Sequence, residues 1–126
     1  MIDFTAFASA TDLLFGAWQP WLAVPPGLII GLVFGAVPGL SVPVAMAVFL
    51  PLTAYMDFLS AMLFLTAIFT GGSFGGAIPA ILMNVPGTAS AVATAFDGYP
   101  MARQGRHSAA LGLALAASTV GTAIGY

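Results

Sequence analysis

The chain has 126 residues, 60% of them hydrophobic and 5% charged, with a formal net charge of −2 and no cysteine. A soluble domain carries about 25% charged residues, so this composition, with a mean hydropathy of +1.07, excludes a water-exposed globular surface. It also excludes disulfides, thiolate metal sites and cysteine nucleophiles, and the two arginines, Arg103 and Arg106, are too few for nucleic-acid binding.

No charged side chain lies between Asp12 and Asp57, between Asp57 and Asp97, or beyond Arg106. Each interval can supply the ~20 apolar residues that cross a bilayer. The fold class is therefore an all-α integral membrane protein, multi-pass, with Gly/Pro-broken transmembrane helices and room for re-entrant hairpins. No basic n-region opens the chain, so insertion is expected through its own membrane segments.

Residues 1–21 mix Asp3, Thr5, Ser9, Thr11 and Asp12 with Phe and Leu, and end on Trp18 and Trp21. Indoles favour the membrane–water boundary, so this stretch is expected to be an interfacial helix. Residues 22–55 form a first apolar block. Pro25 and Pro26 suit a first helical turn, and Gly27, Gly31, Gly35 and Gly39 recur along one helical face, a pattern that lets another helix approach closely. The block is broken at "VPGLSVP", around Pro38, Gly39 and Pro43. From Leu22 to Val37 the helix spans about 24 Å at ~1.5 Å per residue, short of the ~30 Å hydrocarbon core, which leaves both a broken span and a hairpin open.

Residues 58–96 form a second broken block. "TGGSFGG" places Gly71, Gly72, Gly75 and Gly76 together, at a cost of roughly 0.8–1 kcal/mol each to a helix, so an unwound segment is expected there. A second break is expected at "MNVPGTASA", and residues 97–107 are expected to be a loop. "FDGYP" reads as a turn, with Asp97 pairing with Arg103 or Arg106. The basic cluster Arg103, Arg106 and His107 places this loop in the cytoplasm by the positive-inside rule. Residues 108–126 are read as a truncated transmembrane helix, because "SAALGLALAASTVGTAIGY" stops at Tyr126 inside an apolar segment. The expectation is a single membrane domain, the N-terminal part of a larger transporter.

The two breaks resemble each other. "VPGLSVPVAMA" from Val37 and "VPGTASAVATA" from Val85 share V-P-G and then V-A-x-A, with Val44, Ala45 and Ala47 against Val92, Ala93 and Ala95. In both, Pro-Gly ends a helix and small hydroxyl residues precede a new one, and Ser41, Thr88 and Ser90 are good N-cap types. Helix N-termini at such breaks offer free N–H groups and positive dipole ends, which suit a carboxylate near the midplane. The candidate substrate-binding residues are Ser41, Ser73, Asn84, Gly87, Thr88 and Ser90. Pro38, Gly39, Gly71, Gly72 and Pro86 are the candidates for the helix breaks and a cation site. Asn84 reads equally as a helix C-cap. No HExxH, GxSxG or P-loop occurs. Asp57 and Asp97 lie outside the apolar blocks, so neither a catalytic residue, a metal site nor a bound cofactor is expected.

Three stretches carry a family resemblance: "GLVFGAVPGLSVPVAMAVFLPLT", "TGGSFGGAIPAILMNVPGTASAVATAFDGYPMARQGR" and "ALGLALAAS". From about Gly27 onward the chain resembles the large membrane subunit of the tripartite tricarboxylate transporters, the TctA family. Ser41 stands where the family usually has Gly, and "GGSFGGAIPAIL" stands where Ser or Thr is common before Ile-Leu. Both departures bear on substrate preference. The resemblance implies roughly a dozen spans in two related halves, and cation-coupled uptake of tri- or dicarboxylates across the bacterial inner membrane, with Na⁺ or H⁺ as coupling ion. It also implies a small membrane subunit and a periplasmic substrate-binding protein as partners. The alternative is a non-transporting scaffold or assembly subunit, or an inactive truncated remnant.

Overall fold

A computed structural model describes residues 3–125 and contains, among them, seven α-helices and two short 3₁₀ turns. Helix α1 covers Phe4–Gly16. A 3₁₀ turn over Gln19–Ala23 runs into α2, Val24–Ala36, and Pro25 and Pro26 occupy the first turn as expected. Together they make an apolar helical stretch, Gln19–Ala36, long enough to cross a membrane. The remaining helices are α3, Val42–Thr53; α4, Phe58–Gly75; α5, Ala77–Met83; α6, Val92–Arg103; and α7, His107–Gly125. Phe58–Met83 and His107–Gly125 are the other two candidate spans.

Helix α4 is the element on which α2 and α3 pack. Gly27 lies against Phe64 and Ala67, Gly31 against Ile68 and Gly72, and Gly35 against Gly72, so α2 runs parallel to α4. Helix α3 runs the other way: Val42 sits on Gly72, while Ala45 packs with Phe64 and Ile68. Edge-on contacts of Phe49 with Phe34 and with Phe64, at 6.1 and 6.2 Å, tie the three helices together. The block over residues 22–55 is therefore a hairpin, α2 descending and α3 returning. It turns at the level of Gly72, near the middle of the 26-residue Phe58–Met83 span.

The glycines of α2 and α4 interlock reciprocally. Gly31 and Gly35 face the carbonyls of Ile68 and Gly72, and Gly71 and Gly75 face those of Leu28 and Leu32. A Cβ at any of these four positions would collide with backbone of the other helix. In lipid, apolar burial gives helices no reason to associate, and packing between close backbones takes its place. Cα–H···O contacts of this type are worth about 0.5–1 kcal/mol each.

That contact corrects two expectations. "TGGSFGG" is not unwound: α4 continues through Gly71, Gly72 and Gly75, all buried. The helical cost of these glycines is offset by the approach they permit, so neither Gly71 nor Gly72 is a helix break. The interruption is a single residue, Gly76, ahead of Pro79, which has no N–H to return to the Gly75 carbonyl. Similarly, "FDGYP" is not a turn. Asp97 lies within α6, where Gly98 is buried against Ile81, and only Gln104–Arg106 separate α6 from α7. Arg103 donates to Tyr99 Oη at 3.3 Å and lies over that ring, in place of the expected partner Asp97. The tyrosine keeps the guanidinium more firmly protonated than usual, through the hydrogen bond first and charge second.

Helix α7 returns antiparallel to α4: Ala110 packs with Ala77 and Ile81, while Thr122 shares a cleft with Thr66 and Thr70. Of the first segment, residues 19–21 belong to the span and not to the interfacial helix; Met1, Ile2 and Tyr126 lie outside the described residues.

Asp57 caps α4, accepting from Ser60 N at 3.3 Å and from Ser60 Oγ at 2.9 Å. The Ser60 hydroxyl, and then its N–H, hold the carboxyl below the ordinary carboxylate pKa. A lowered folded-state pKa stabilises above the unfolded value, ~3.9, and the contribution is lost as pH falls through the folded value. Thermal stability in detergent is expected to fall below about pH 4 in a manner that Asp57→Ala abolishes. An unchanged acid profile in that variant would remove Asp57 as the group responsible.

Gly31→Ala is expected to destabilise the chain by about 1–3 kcal/mol through overpacking. Gly121, which faces open space on α7, is expected to accept alanine with no loss, or to gain up to ~1 kcal/mol of helix propensity. Denaturant titration in mixed micelles compares the two, and equal effects would refute the interlocked-backbone account.

Candidate functional site

Two breaks in the helical path come together beside α4. The first follows α2: Val37 still donates to Val33 O, Leu40 closes a turn on Val37 O, and Gly39 adopts φ +92°, a conformation that side chains rarely take. Ser41 is extended and occupies the N-cap of α3, but its hydroxyl makes no capping bond. The second break follows α5. Asn84 is the left-handed C-cap, φ 57°, and its N–H and that of Val85 both return to Pro79 O. The chain then passes through Pro86 and Gly87 to an extended Thr88, the N-cap of the 3₁₀ turn Ala89–Ala91, again without a side-chain capping bond. The Thr88 hydroxyl instead meets Ser90 Oγ at 3.1 Å.

Four glycines make the junction. Gly72 is wedged between Gly35, at the end of α2, and Val42, at the start of α3. One turn along, Gly76 is pressed against Thr88, and its carbonyl accepts from Gly87 N at 3.2 Å. Gly87 in turn touches the Gly35 carbonyl and Pro79. The second V-P-G motif therefore meets the last turn of α2, just before the first, partway along the Phe58–Met83 span, and the two motif glycines do different work. Gly39 supplies a backbone conformation and touches nothing, whereas Gly87 supplies close approach.

Beside this junction a cleft of about 1130 Å³ opens between α4, the start of α6 and α7. It is lined by Thr66, Thr70 and Ser73 of α4, Ser90, Thr94 of α6, and Ser118, Thr119 and Thr122 of α7, among alanines and phenylalanines. No charged residue lines it. The hydroxyls of Thr66, Thr70, Ser73, Thr119 and Thr122 donate to carbonyls one turn back on their own helices, at 2.7–2.9 Å. Their oxygens remain free to accept.

The expected site residues thus separate. Ser73 and Ser90 line the cleft, and Gly87 and Thr88 hold its end against Gly76. Ser41, Pro38 and Gly39 are exposed at the first break and do not line it; Asn84 and Pro86 are exposed beyond α5. Gly71 and Gly72 are helix-contact residues. Thr66, Thr70, Thr94, Ser118, Thr119 and Thr122 were missed in the sequence reading. The i, i+4, i+7 spacing of Thr66, Thr70 and Ser73 was the available signal. Among the described residues no His, Cys, Asp and Glu cluster can hold a metal ion. The arrangement offers hydroxyls and backbone amides for hydrogen bonding, without a charge, a titrating group or an activated nucleophile.

Comparison with known proteins gives a consistent result. The family model described as "Tripartite tricarboxylate transporter TctA family" matches residues 22–126. An uncharacterized 52.8 kDa protein from the TAR-I ttuC′ 3′ region of Agrobacterium vitis is 39% identical over 88 residues. That alignment covers 70% of this chain and 18% of the relative, so the chain spans about a fifth of that protein's length. No solved structure matches the chain.

The junction geometry makes Gly87→Ala a specific lesion: a methyl group there has to push the second break away from Gly35. Hydrogen exchange of the amides over residues 85–91 is expected to accelerate about ten-fold, the equivalent of ~1.4 kcal/mol of local stability. Gly39→Ala is expected to loosen only the first break. Unaltered protection over 85–91 in Gly87→Ala would show that the two breaks are not mechanically joined.

Proposed function

The chain belongs to the tripartite tricarboxylate transporter TctA family, and from that premise we propose that it forms part of the substrate path of a cation-coupled carboxylate importer. The cargo is a tri- or dicarboxylate, Na⁺ or H⁺ drives its entry, and the site alternates between the two faces of the bacterial inner membrane. A periplasmic binding protein delivers the substrate, and a small membrane subunit completes the assembly. The α6–α7 connection, with Arg103 at the end of α6 and Arg106 after it, faces the cytoplasm, in keeping with the positive-inside rule.

The observation that carries this reading is the meeting of two helix breaks at Gly35, Gly72, Gly76 and Gly87, next to a hydroxyl-lined cleft. Irregular backbone at membrane depth is tolerated only where it is buried in protein or lines a wet cavity. Here Gly87 and Thr88 are half-buried against Gly76, and Ser90 and Ala91 line the cleft. First-turn N–H groups left without a side-chain cap at Thr88, at the end of the cleft, give an anion a partner without the cost of burying lysine. The hydroxyls of Ser73, Thr88 and Ser90 add donors once they turn from their present partners. Chemistry on the cargo is no part of the proposal, because the path supplies neither an acid pair nor a nucleophile.

Uptake of radiolabelled tricarboxylate by the assembled transporter in proteoliposomes tests this. Thr88→Val is expected to raise the apparent KM about ten-fold, the worth of one hydrogen bond to a charged group, with normal expression. Asn84→Ala, at a cap outside the cleft, is expected to have a much smaller effect. Unimpaired uptake in Thr88→Val and Ser90→Ala alike would favour the scaffold reading.

A further inference from the structure

The helix that the transport reading leaves unused is α1. None of its residues is buried, and Phe4, Phe7, Phe15 and the following Trp18 are exposed by 63–83%. At about 100° per residue, Phe4, Phe7, Ala8, Thr11, Leu14 and Phe15 share one side. Thr5, Ser9 and Asp12 gather in a narrow wedge beside it, about 80–140° round from Phe4, and Ala6, Ala10 and Leu13 complete the circumference. Thirteen residues reach only about 20 Å, so α1 cannot cross a ~30 Å core. Yet it ends three residues before the Gln19–Ala36 span begins, which holds it at the bilayer boundary.

The connection is also stiff. Trp21 Nε1 donates to Leu14 O at 2.5 Å, and the Trp21 ring stacks on Phe15 at 6.1 Å. The start of the first span thus grips the last turn of α1 and fixes its rotation relative to that span. The only ionisable side chains here are Asp3 and Asp12, with no lysine or arginine before Arg103.

We infer that α1 is a lipid-binding element lying in the headgroup–acyl boundary, its Phe4–Phe7–Phe15 side in the acyl region and Asp12 at headgroup level, selecting headgroups that carry N–H donors over anionic ones. This is the reverse of the basic amphipathic helices that seek anionic membranes. The inference rests on the membrane character of the chain and is independent of what it transports.

The chain contains no cysteine, so Phe7→Cys and Ser9→Cys each give a unique site for a nitroxide spin label. The full chain is placed in nanodiscs of phosphatidylethanolamine and phosphatidylcholine, and collision with oxygen and with a nickel chelate is measured. A label at position 7 is expected to be oxygen-accessible and nickel-protected, and one at position 9 the converse. Nickel access at both positions would mean a solvated tail, and protection from both reagents at both positions would mean a protein partner; either overturns the inference. Replacing phosphatidylethanolamine by phosphatidylglycerol is expected to lower the immersed fraction at position 7 about five-fold, the usual worth of one surface charge. Asp12→Asn is expected to remove that sensitivity. Equal immersion in both lipids would overturn the headgroup selectivity.

Discussion

The architecture depends on one close contact, the backbone-to-backbone approach of α2 and α4. Within a bilayer, two apolar helices gain nothing by hiding from lipid, so their association has to come from fit. Gly31, Gly35, Gly71 and Gly75 provide it by presenting bare backbone to the carbonyls of the facing helix. This fixes the depth at which α2 stops, and therefore where its break lies. Val42 can then settle on Gly72 and send α3 back along α4.

The same contact sets the second break. Gly76 is one turn beyond Gly72, and its carbonyl holds Gly87 while its bare Cα leaves room for Thr88. If α2 were displaced outward by a side chain's width, the Gly35 carbonyl would no longer bound Gly87, and the second break would lose its contact with the end of α2. The cleft beside them follows from the antiparallel return of α7, packed at one end through Ala110 on Ala77 and Ile81 and open at the other.

Much of this was legible in the sequence. The all-α membrane class followed from charge-free intervals, and both V-P-G breaks from proline and glycine chemistry acting locally. The Gly27–Gly31–Gly35 stripe announced a packed face without saying what packed on it. The glycine run in α4 misled because low helix propensity is a local cost, whereas the compensating contact lies on another helix. "FDGYP" misled for the same reason: its turn chemistry yields to the packing of Gly98 on Ile81. The hydroxyls of α4 and α7 read as scattered polar residues, and become a common lining only when the two helices are set antiparallel.

The junction and its cleft contain no ionised side chain: glycine, proline and hydroxyl residues make up the meeting point, and along the sequence the charges that flank it are Asp12, Asp57 and Asp97. Moving one elementary charge through a membrane potential of ~100 mV involves about 2.3 kcal/mol. Helices α2 to α5 carry no such charge, so any rearrangement of their side chains is blind to voltage. Within these four helices, the response to a membrane potential is left to the backbone dipoles, and side-chain charge enters only at their flanks, at Asp12, Asp57 and Asp97.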